Sequence, residues 1–215
     1  VANILWNHRL FLLHGDAKYV DVMERTLYNA FLSGVSLSGD RFFYSNPLEA
    51  RFAGRCRSPW FSCSCCPVNV CRCMPSVAWL VYATCERSVY CNLYIEGTVR
   101  LDVHDGIAVE LAQETRYPWD GRVTVSVTMG TPARFALLLR VPGWARGEAT
   151  PGGLYGYAGE APAAGWSARL VGCSDAAPAL RRGYAVFERE WQPGRTAVEL
   201  LLGMPVRRVL ADARV

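Results

Sequence analysis

Apolar residues recur at intervals of three and four over residues 1–31, a spacing that predicts two amphipathic helices. Gly15 is the kind of residue that ends a helix in the left-handed conformation, and Asp16 can cap the first turn of the next helix. The apolar faces comprise Val1, Ile4, Leu5, His8 and Leu12 in the first helix and Tyr19, Met23, Leu27, Ala30 and Phe31 in the second. The chain is therefore predicted to begin with a helical layer.

A hairpin and a third helix are predicted next. The segment VSLSGDRFFYS, residues 35–45, has the pattern of two short strands around a turn at residues 38–40. Pro67 can open a helix, because the N–H that proline lacks has no partner in a first turn. Pro75 lies further along this helix and is expected to kink or restart it.

From Ser88 onward the apolar spacing changes from the helical period to the two-residue alternation of β-strands. Residues 147–182, rich in Gly, Ala and Pro, are expected to form a long loop or an irregular insertion between such segments. The strand-like segments are 88–103, 107–117, 121–129, 133–144, 184–191 and 196–209. The pattern predicts an antiparallel β-sandwich over residues 86–215, after a mainly helical part over residues 1–85.

Composition narrows the classes of function. The 215 residues are 51% hydrophobic and 20% charged, as in a globular protein, and the net charge is only +4. The arginines are scattered apart from short pairs such as Arg181-Arg182, so we expect no nucleic-acid partner. The longest apolar runs, such as residues 135–139, are too short to span a bilayer, so we expect no membrane partner. Because Val1 already continues a helical pattern, we expect a piece of a longer protein.

Cysteine is concentrated in one part of the chain. Of the nine cysteines, all but Cys173 lie between residues 56 and 91, and FSCSCCPVNV, residues 61–70, is the densest segment. A disulfide framework would normally spread its pairs through a small secreted domain, whereas this crowding favours reduced thiols. We therefore expect a reducing compartment, the cytoplasm.

Three accounts of the crowded thiols are open from the residues alone: a metal site, a reactive thiolate, or small buried hydrophobic residues. If Pro67 opens a helix, Cys65 and Cys66 lie at its N-terminus, where unpaired N–H groups and the helix dipole favour a thiolate. A bound cation such as zinc would favour the thiolate as well. Adjacent cysteines differ from the C-x-x-C spacing of structural zinc sites, which argues against a purely structural zinc module.

Two segments carry a family resemblance. Residues 15–49, GDAKYVDVMERTLYNAFLSGVSLSGDRFFYSNPLE, and residues 58–72, SPWFSCSCCPVNVCR, closely resemble glycoside hydrolase family 127, the β-L-arabinofuranosidase family. FALLLRVPGWARG, GYAVFEREWQPG and ELLLGMPVRRV resemble the β-domains of that family in the same order. The resemblance implies an α+β multidomain fold. In it, residues 1–85 form the C-terminal portion of an (α/α)6 barrel, and antiparallel β-sandwich structure follows over residues 86–215.

The resemblance also implies a reaction and a cofactor. In this family a zinc-bound cysteine thiolate replaces one carboxylate of a retaining double displacement, which releases non-reducing terminal β-L-arabinofuranose. By the match to the C-x-C-C-P motif, Cys65 is expected to be the nucleophile and, with Cys66, a ligand of Zn²⁺, whereas Cys63 lies nearby without binding the metal. The implied substrate is an arabinofuranosyl oligosaccharide or glycoconjugate, and a homodimer is a candidate assembly.

Other parts of the family's site are expected to lie outside this sequence. The resemblance places a Glu-x-Cys pair of zinc ligands, the acid/base glutamate and the sugar-binding histidines upstream of Val1. Glu24 and Glu49 match other glutamates of the family pattern and are expected to have structural roles. Cys71 and Cys73 are expected to be small buried residues. We therefore expect the isolated chain to be inactive, and a non-catalytic carbohydrate-binding or scaffold fragment is the alternative.

Overall fold

Helices dominate the first part of the chain and strands the rest, in keeping with an α+β fold. The computed structural model describes residues 1–45, 49, 56–104, 106–159, 165–173 and 177–215. The helices are α1 (Ala2–His14), α2 (Ala17–Arg25) and α3 (Cys65–Val81), with a π-helical turn at Thr26–Phe31 and 3₁₀ turns at Leu32–Gly34 and Gly143–Arg146. The strands are β1 (Tyr82–Cys85), β2 (Ser88–Cys91), β3 (Gly97–His104), β4 (Ile107–Thr115), β5 (Arg122–Met129), β6 (Ala133–Arg140), β7 (Tyr155–Tyr157), β8 (Trp166–Leu170), β9 (Ala179–Arg181), β10 (Tyr184–Trp191), β11 (Gly194–Leu202) and β12 (Val209–Ala211).

Local sequence signals set the junction between the first two helices. α1 ends at Gly15, whose φ of 60° is left-handed and whose N–H donates to the carbonyl oxygen of Phe11 at 2.7 Å. The side chain of Asp16 then accepts a hydrogen bond from the backbone N–H of Lys18 at 3.0 Å and caps α2. The two predicted helices are confirmed, but the apolar face predicted for the first one is wrong: Leu5 and Leu12 are exposed, and Asn7 and Phe11 are buried beside Ile4.

The hairpin predicted over residues 35–45 is present only in a shortened form. Val35 and Phe42 form an antiparallel β-bridge, and the N–H of Phe43 donates to the carbonyl oxygen of Gly34 at 2.9 Å, but no regular strand forms on either side of the turn. The N–H and carbonyl oxygen of Phe42 point to the other side and both bond to Ser58 at 2.9 Å. This second partner lies outside the segment, and the local pattern does not indicate it.

Helix α3 starts earlier than predicted and does not break. It begins at Cys65, so Pro67 lies within its first turn, and it continues through Pro75. Leu80 and Val81, beyond the second proline, are buried, and this packing offsets the backbone hydrogen bond that the proline removes. Among the described residues, α3 included, no helix has the length and apolar character to cross a bilayer.

Two five-stranded sheets form most of the β part. Their strand orders are β1-β2-β6-β10-β9 and β3-β4-β5-β11-β8, and β12 pairs with β7 in a separate ribbon. Neighbouring described strands are antiparallel except β2 and β6, which are parallel, so the predicted mostly antiparallel arrangement is confirmed with this pair as an exception. The reason is a crossover: after β2 the chain runs through the second sheet before it returns as β6. Residues 147–182, expected to be a long loop, contain β7, β8 and β9.

The two sheets face each other across one apolar core. Val89 and Leu137 from the first sheet and Val109 and Val125 from the second are fully buried there. A second core lies between the outer face of the first sheet and the helices, and Leu138 of β6 belongs to it. Both faces of β6 are therefore covered, which explains why this strand lacks polar alternation. The arrangement fits the predicted β-sandwich and places the helical layer against one of its sheets.

Candidate active site

The cysteine cluster lies at the N-terminus of α3. Cys65 is the first residue of the helix and Cys66 the second, and Ser64 before them provides no side-chain cap. The first N–H groups of the helix therefore have no capping oxygen from Ser64, and the helix dipole favours negative charge at this end. Cys65 is exposed and Cys66 is half-buried. Both thiols thus occupy the helix terminus at which the sequence placed them.

Three thiols and one phenol form a single contact group. The Sγ atom of Cys65 lies 3.8 Å from Sγ of Cys66 and 3.9 Å from Sγ of Cys63. The phenol oxygen of Tyr44 lies 3.3 Å from Cys65 Sγ and 3.8 Å from Cys63 Sγ. Tyr44 reaches the group from the segment that follows the β-bridge at Phe42. Cys65 is the residue that contacts all the others.

These contacts make the two adjacent thiols differ in acidity. The pKa of Cys65 is lowered, first by the hydrogen bond from Tyr44 and then by those from Cys66 and Cys63. The pKa of Cys66 is raised, by its hydrogen bond to Cys65 and by desolvation. The pKa of Tyr44 is raised as well, because its hydrogen bonds to the thiols favour the protonated phenol. The group therefore favours one thiolate, at Cys65.

The spacing of the adjacent thiols fits half of a zinc site. Zinc binds thiolates at about 2.3 Å in a tetrahedral arrangement, which places two bound sulfur atoms about 3.8 Å apart. The sulfur atoms of Cys65 and Cys66 are 3.8 Å apart. A four-coordinate site would need two further donors, and within the described residues no group of three or more His, Cys, Asp and Glu side chains is arranged to hold a metal ion. The two cysteines thus offer a pair of donors of the right type and spacing.

Two later cysteines of α3 differ in burial. Cys73 is 3% exposed, as expected, whereas Cys71 is exposed, so the prediction that Cys71 is buried is wrong. Residues two apart on a helix point to nearly opposite sides, so only one of this pair can face the core. Cys71 is therefore an accessible thiol on the same helix as Cys65 and offers a natural control for it.

Glu24 lies in a buried ion pair and not in the cysteine cluster. Glu24 is 6% exposed, is ion-paired with Arg140 and accepts a hydrogen bond from Tyr117 at 3.2 Å. Its pKa is raised because burial outweighs the attraction of the guanidinium. The expected structural role of Glu24 is confirmed. Glu49 is exposed.

Sequence reasoning missed Tyr44. The run FFY at residues 42–44 is equally typical of a β-strand, and nothing in its local pattern indicates contact with thiols. Its position just before the NPLE segment of the family resemblance was the one signal that could have drawn attention to it. The contact between Tyr44 and Cys65 joins residues 21 positions apart and is visible only in three dimensions.

A second concave surface lies in the β part. A groove of about 610 Å³ is lined by aromatic residues that include Trp144, Tyr157 and Trp166. The guanidinium of Arg207 stacks over the ring of Tyr157, 3.3 Å from its centroid. Among the residues that the structure describes, those that line the groove are separate from the cysteine cluster. Apolar walls with a few polar groups are characteristic of ligand-binding clefts.

Comparison with known proteins identifies the family. A model of the catalytic domain of family GH127, described as β-L-arabinofuranosidase, matches residues 1–78. A model of the GH127 middle domain matches residues 88–204. The chain belongs to glycoside hydrolase family 127. It is therefore classified as glycoside hydrolase sequence, and the cysteine cluster lies in the part that the catalytic-domain model matches.

Individual relatives agree with this assignment. A non-reducing end β-L-arabinofuranosidase of Bifidobacterium longum subsp. longum is 32% identical over 165 residues, which are 70% of this chain and 24% of that protein. The solved structure of a GH127 β-arabinofuranosidase is 44% identical, with a TM-score of 0.89 over 99% of this chain and 33% of that one. A GH127 β-L-arabinofuranosidase from Geobacillus stearothermophilus T6 is 34% identical, with a TM-score of 0.81 over 100% of this chain and 32% of that one. This chain thus spans between a quarter and a third of the length of these relatives.

Proposed function

We propose that this chain carries the nucleophile of a retaining glycoside hydrolase that releases non-reducing terminal β-L-arabinofuranose or a similar sugar. The observation that supports this most strongly is the place of Cys65, an exposed thiol at the start of α3 whose sulfur lies 3.3 Å from the phenol oxygen of Tyr44. A nucleophile must be ionised and must be accessible to the substrate. Cys65 is exposed, and its lowered pKa favours the ionised form, whereas the pKa of Cys66 is raised.

The proposed reaction has two displacements. The sulfur of Cys65 attacks the anomeric carbon, so that a C–S bond forms as the glycosidic C–O bond breaks and a general acid protonates the leaving oxygen. A water molecule, deprotonated by the same group, then attacks that carbon and returns the thiolate. The lowered pKa of Cys65 increases the fraction of thiolate available for the first step and makes the sulfur a better leaving group in the second. We assign the acid/base to a part of the protein outside this sequence, since Glu24 is buried against Arg140.

Tyr44 has the role of orienting the nucleophile in this proposal. Its hydroxyl donates to the thiolate of Cys65 and so occupies one lone pair of the sulfur and restrains its position. The free N–H groups at the start of α3 add further stabilisation of negative charge. The side chain of Tyr44 therefore supplies the hydrogen bond that distinguishes Cys65 from Cys66.

We propose Zn²⁺ as the cofactor. Cys65 and Cys66 would supply two thiolate ligands, and their sulfur separation of 3.8 Å supports this. When bound, zinc keeps a coordinating thiol deprotonated, which reinforces the effect of Tyr44 and the helix terminus. The remaining two ligands would come from segments outside this sequence, and Cys63 would lie beside the metal without binding it.

We propose that residues 1–85 form part of an (α/α)6 catalytic barrel and that residues 86–215 form the β-sandwich region beside it. Large apolar side chains remain exposed on the helices: Trp6 is 67% exposed, Leu13 is 74% exposed and Trp79 is 78% exposed. Further barrel helices would cover such a surface. The isolated chain is accordingly expected to lack activity.

A non-catalytic carbohydrate-binding role is the second candidate, and the groove in the β part favours it. Trp144 and Trp166 line this groove of about 610 Å³ without contribution from the cysteine cluster. A binding role would require no ionised thiol, so it would survive loss of Cys65. The effect of Cys65→Ser on saccharide binding and on hydrolysis separates the two candidates.

The proposed partner is an arabinofuranosyl oligosaccharide or glycoconjugate, with a homodimer as the candidate assembly. The cytoplasm is the proposed compartment, since all nine cysteines are free and most of them are exposed. Size-exclusion chromatography with light scattering of the full-length protein tests the assembly. Cell fractionation tests the compartment.

The catalytic proposal is tested in the full-length protein that contains this sequence. Cys65→Ser should reduce hydrolysis of an aryl β-L-arabinofuranoside by about 10⁴-fold or more, because a serine hydroxyl is hardly ionised near neutral pH. Cys71→Ser changes an exposed thiol on the same helix and should keep turnover. Cys66→Ser should lower the bound zinc content. Turnover of Cys65→Ser close to that of Cys71→Ser would exclude Cys65 as the nucleophile.

A further inference from the structure

Arg140 is the centre of a buried charge cluster that joins the two parts of the chain. It is the last residue of β6, and its side chain is fully buried. Its Nη1 donates to Asp21 at 2.7 Å, its Nη2 donates to Glu24, and its Nε donates to the backbone oxygen of Asn92 at 2.5 Å. A guanidinium tolerates burial when its donors are satisfied in this way. One side chain thus holds β6, α2 and the segment after β2 together.

One of these connections leads to the nucleophilic thiol. The backbone N–H of Asn92 donates to the carbonyl oxygen of Val81 at 2.8 Å, and Tyr184 donates to the side-chain oxygen of Asn92 at 2.7 Å. Val81 is the last residue of α3 and Cys65 is the first. A helix of 17 residues is a rod about 25 Å long. Fixing the last turn of α3 therefore restrains the direction in which Cys65 is presented.

The other connection leads to the phenol. The two carboxylates bound by Arg140 lie on α2, and the chain continues from α2 through the π-helical and 3₁₀ turns to Val35. Val35 forms a β-bridge with Phe42, and Tyr44 follows directly after that bridge. The hydroxyl of Tyr44 contacts the sulfur of Cys65 at 3.3 Å. The two paths that leave Arg140 therefore meet again at this contact.

The cluster specifies one placement of α2. Oδ2 of Asp21 accepts the backbone N–H of Gly143 at 3.0 Å and lies 3.5 Å from Nη2 of Arg146. A Cβ atom at Gly143 would lie only 3.0 Å from the same carboxylate oxygen, so glycine is what gives this contact room. Glu24 in turn accepts a hydrogen bond from Tyr117. The groups that hold α2 here all lie in the part matched by the middle-domain model.

We propose that Arg140 is a positioning residue of the active site, which sets the contact between the phenol of Tyr44 and the thiol of Cys65. It does so by holding α2 and the end of α3 to the same strand. This inference rests on the proposed function, in which Cys65 is the nucleophile. The middle domain then contributes to the reaction by placing two groups that the catalytic domain supplies.

The test replaces the whole charge cluster in the full-length enzyme. Removal of Arg140 alone would take the nearest cation from two buried carboxylates, leaving Asp21 with only the more distant guanidinium of Arg146, and could unfold the protein. Arg140→Met combined with Asp21→Asn and Glu24→Gln removes all three charges and preserves similar side-chain volumes. Val198→Ala, which trims a fully buried residue of β11 in the second sheet, is the control for loss of stability alone. Each protein is first checked for folding by circular dichroism and thermal melting.

The readout is a double-mutant cycle that combines Tyr44→Phe with the triple variant. For each protein, kcat and KM are measured far below its melting temperature. We expect the triple variant to lose about tenfold or more in kcat with KM within about twofold, whereas Val198→Ala keeps both. Tyr44→Phe should lower kcat in the wild-type background and have little further effect in the triple variant, because the phenol is already misplaced there. A merely structural role of Arg140 would instead give additive effects.

The possible results distinguish failure of the positioning role of Arg140 from failure of the proposed function. An unchanged kcat in the folded triple variant, or additive effects of Tyr44→Phe, would overturn the positioning role. If the triple variant does not fold, Arg140→Lys enters the same cycle with the same two outcomes, because one ammonium cannot hold all three acceptors. Absence of hydrolysis by the wild-type enzyme would refute the proposed function itself and not the role of Arg140 within it.

Discussion

The phenol oxygen of Tyr44 lies 3.3 Å from the sulfur of Cys65, although 21 residues separate the two in the chain. This hydrogen bond is the largest cause of the lowered pKa of Cys65. The pKa of the adjacent Cys66 is raised. Two neighbouring cysteines with the same helix dipole thus differ because one of them has a phenol as its partner.

Tyr44→Phe should raise the pKa of Cys65, because it removes a hydrogen bond that stabilises the thiolate. The pH at which Cys65 reacts half-maximally with iodoacetamide should then move upward in the metal-free full-length protein. Peptide mass spectrometry assigns the reaction to its cysteine. Tyr155→Phe, a substitution in β7, should leave the pH profile unchanged. An unchanged or lowered midpoint in Tyr44→Phe contradicts the role given to the phenol.

The acid side of the stability profile should depend on Glu199. Its carboxylate bonds to Arg169 and Arg122 on the neighbouring strands at 2.7 Å each, and these contacts lower its pKa. A lowered folded-state pKa means that the stabilisation is present above the unfolded pKa and lost as pH falls through the folded one. At pH 7, Glu199→Gln should cost about 0.5–1 kcal/mol in free energy of unfolding, because the two arginines are largely exposed.

Urea unfolding of the full-length protein between pH 7 and pH 3 measures this difference. The gap between wild type and Glu199→Gln should close as pH falls. Glu96→Gln, a change at an exposed glutamate outside the strands, should follow the wild type throughout. A gap that widens toward low pH would mean that the sign assigned to the pKa shift is wrong.

The apolar core between the two sheets predicts which side-chain truncations lower the free energy of unfolding most. Leu111 on β4 is fully buried, whereas Leu201 on β11 is 46% exposed. Leu111→Ala should lower the free energy of unfolding by about 2–5 kcal/mol, because it leaves a cavity in the core. Leu201→Ala should cost well under half of that. Equal costs in denaturant unfolding would argue against a core between the sheets.

The exposed apolar helix residues predict self-association of the isolated 215-residue chain. Leu13 and Trp79 are more than two-thirds exposed on helices whose other faces are buried. Leu13→Gln with Trp79→Gln should therefore shift the chain toward monomer in size-exclusion chromatography with light scattering. Trp119→Gln is the control, since Trp119 is 86% exposed but lies in a turn of the β part. A comparable shift with the control would show that general hydrophobicity, and not the helix faces, drives association.

Features that depend on residues close in the sequence, such as helix ends, were predicted correctly. Gly15 and Asp16 act within a few residues of themselves, so the end of α1 and the start of α2 followed from residue type. The place of Cys65 and Cys66 at a helix N-terminus followed from Pro67 in the same way. The family motif added the chemical roles that residue type alone left open.

Features that depend on contacts between residues far apart in the sequence were not predicted. Phe42 pairs with Ser58 as well as with Val35, and only the pairing with Val35 follows from the pattern of its own segment. Arg140 binds Asp21 across 119 positions, and no local pattern marks an arginine as the one that will be buried. The same holds for Tyr44, which a β-propensity argument describes equally well as a strand residue. The groups that tune and place the thiol therefore emerge only from the fold.

The central claim is that Cys65 forms a covalent bond to the sugar. The most direct measurement is to mix the full-length enzyme with an activated aryl β-L-arabinofuranoside, quench it with acid during turnover, and analyse the tryptic peptide of residues 58–72 by tandem mass spectrometry. The account predicts a pentosyl mass on Cys65, absent from the Cys65→Ser protein and unaffected by Cys71→Ser. A pentosyl group on a carboxylate or on Cys66, with Cys65 unmodified, would contradict it.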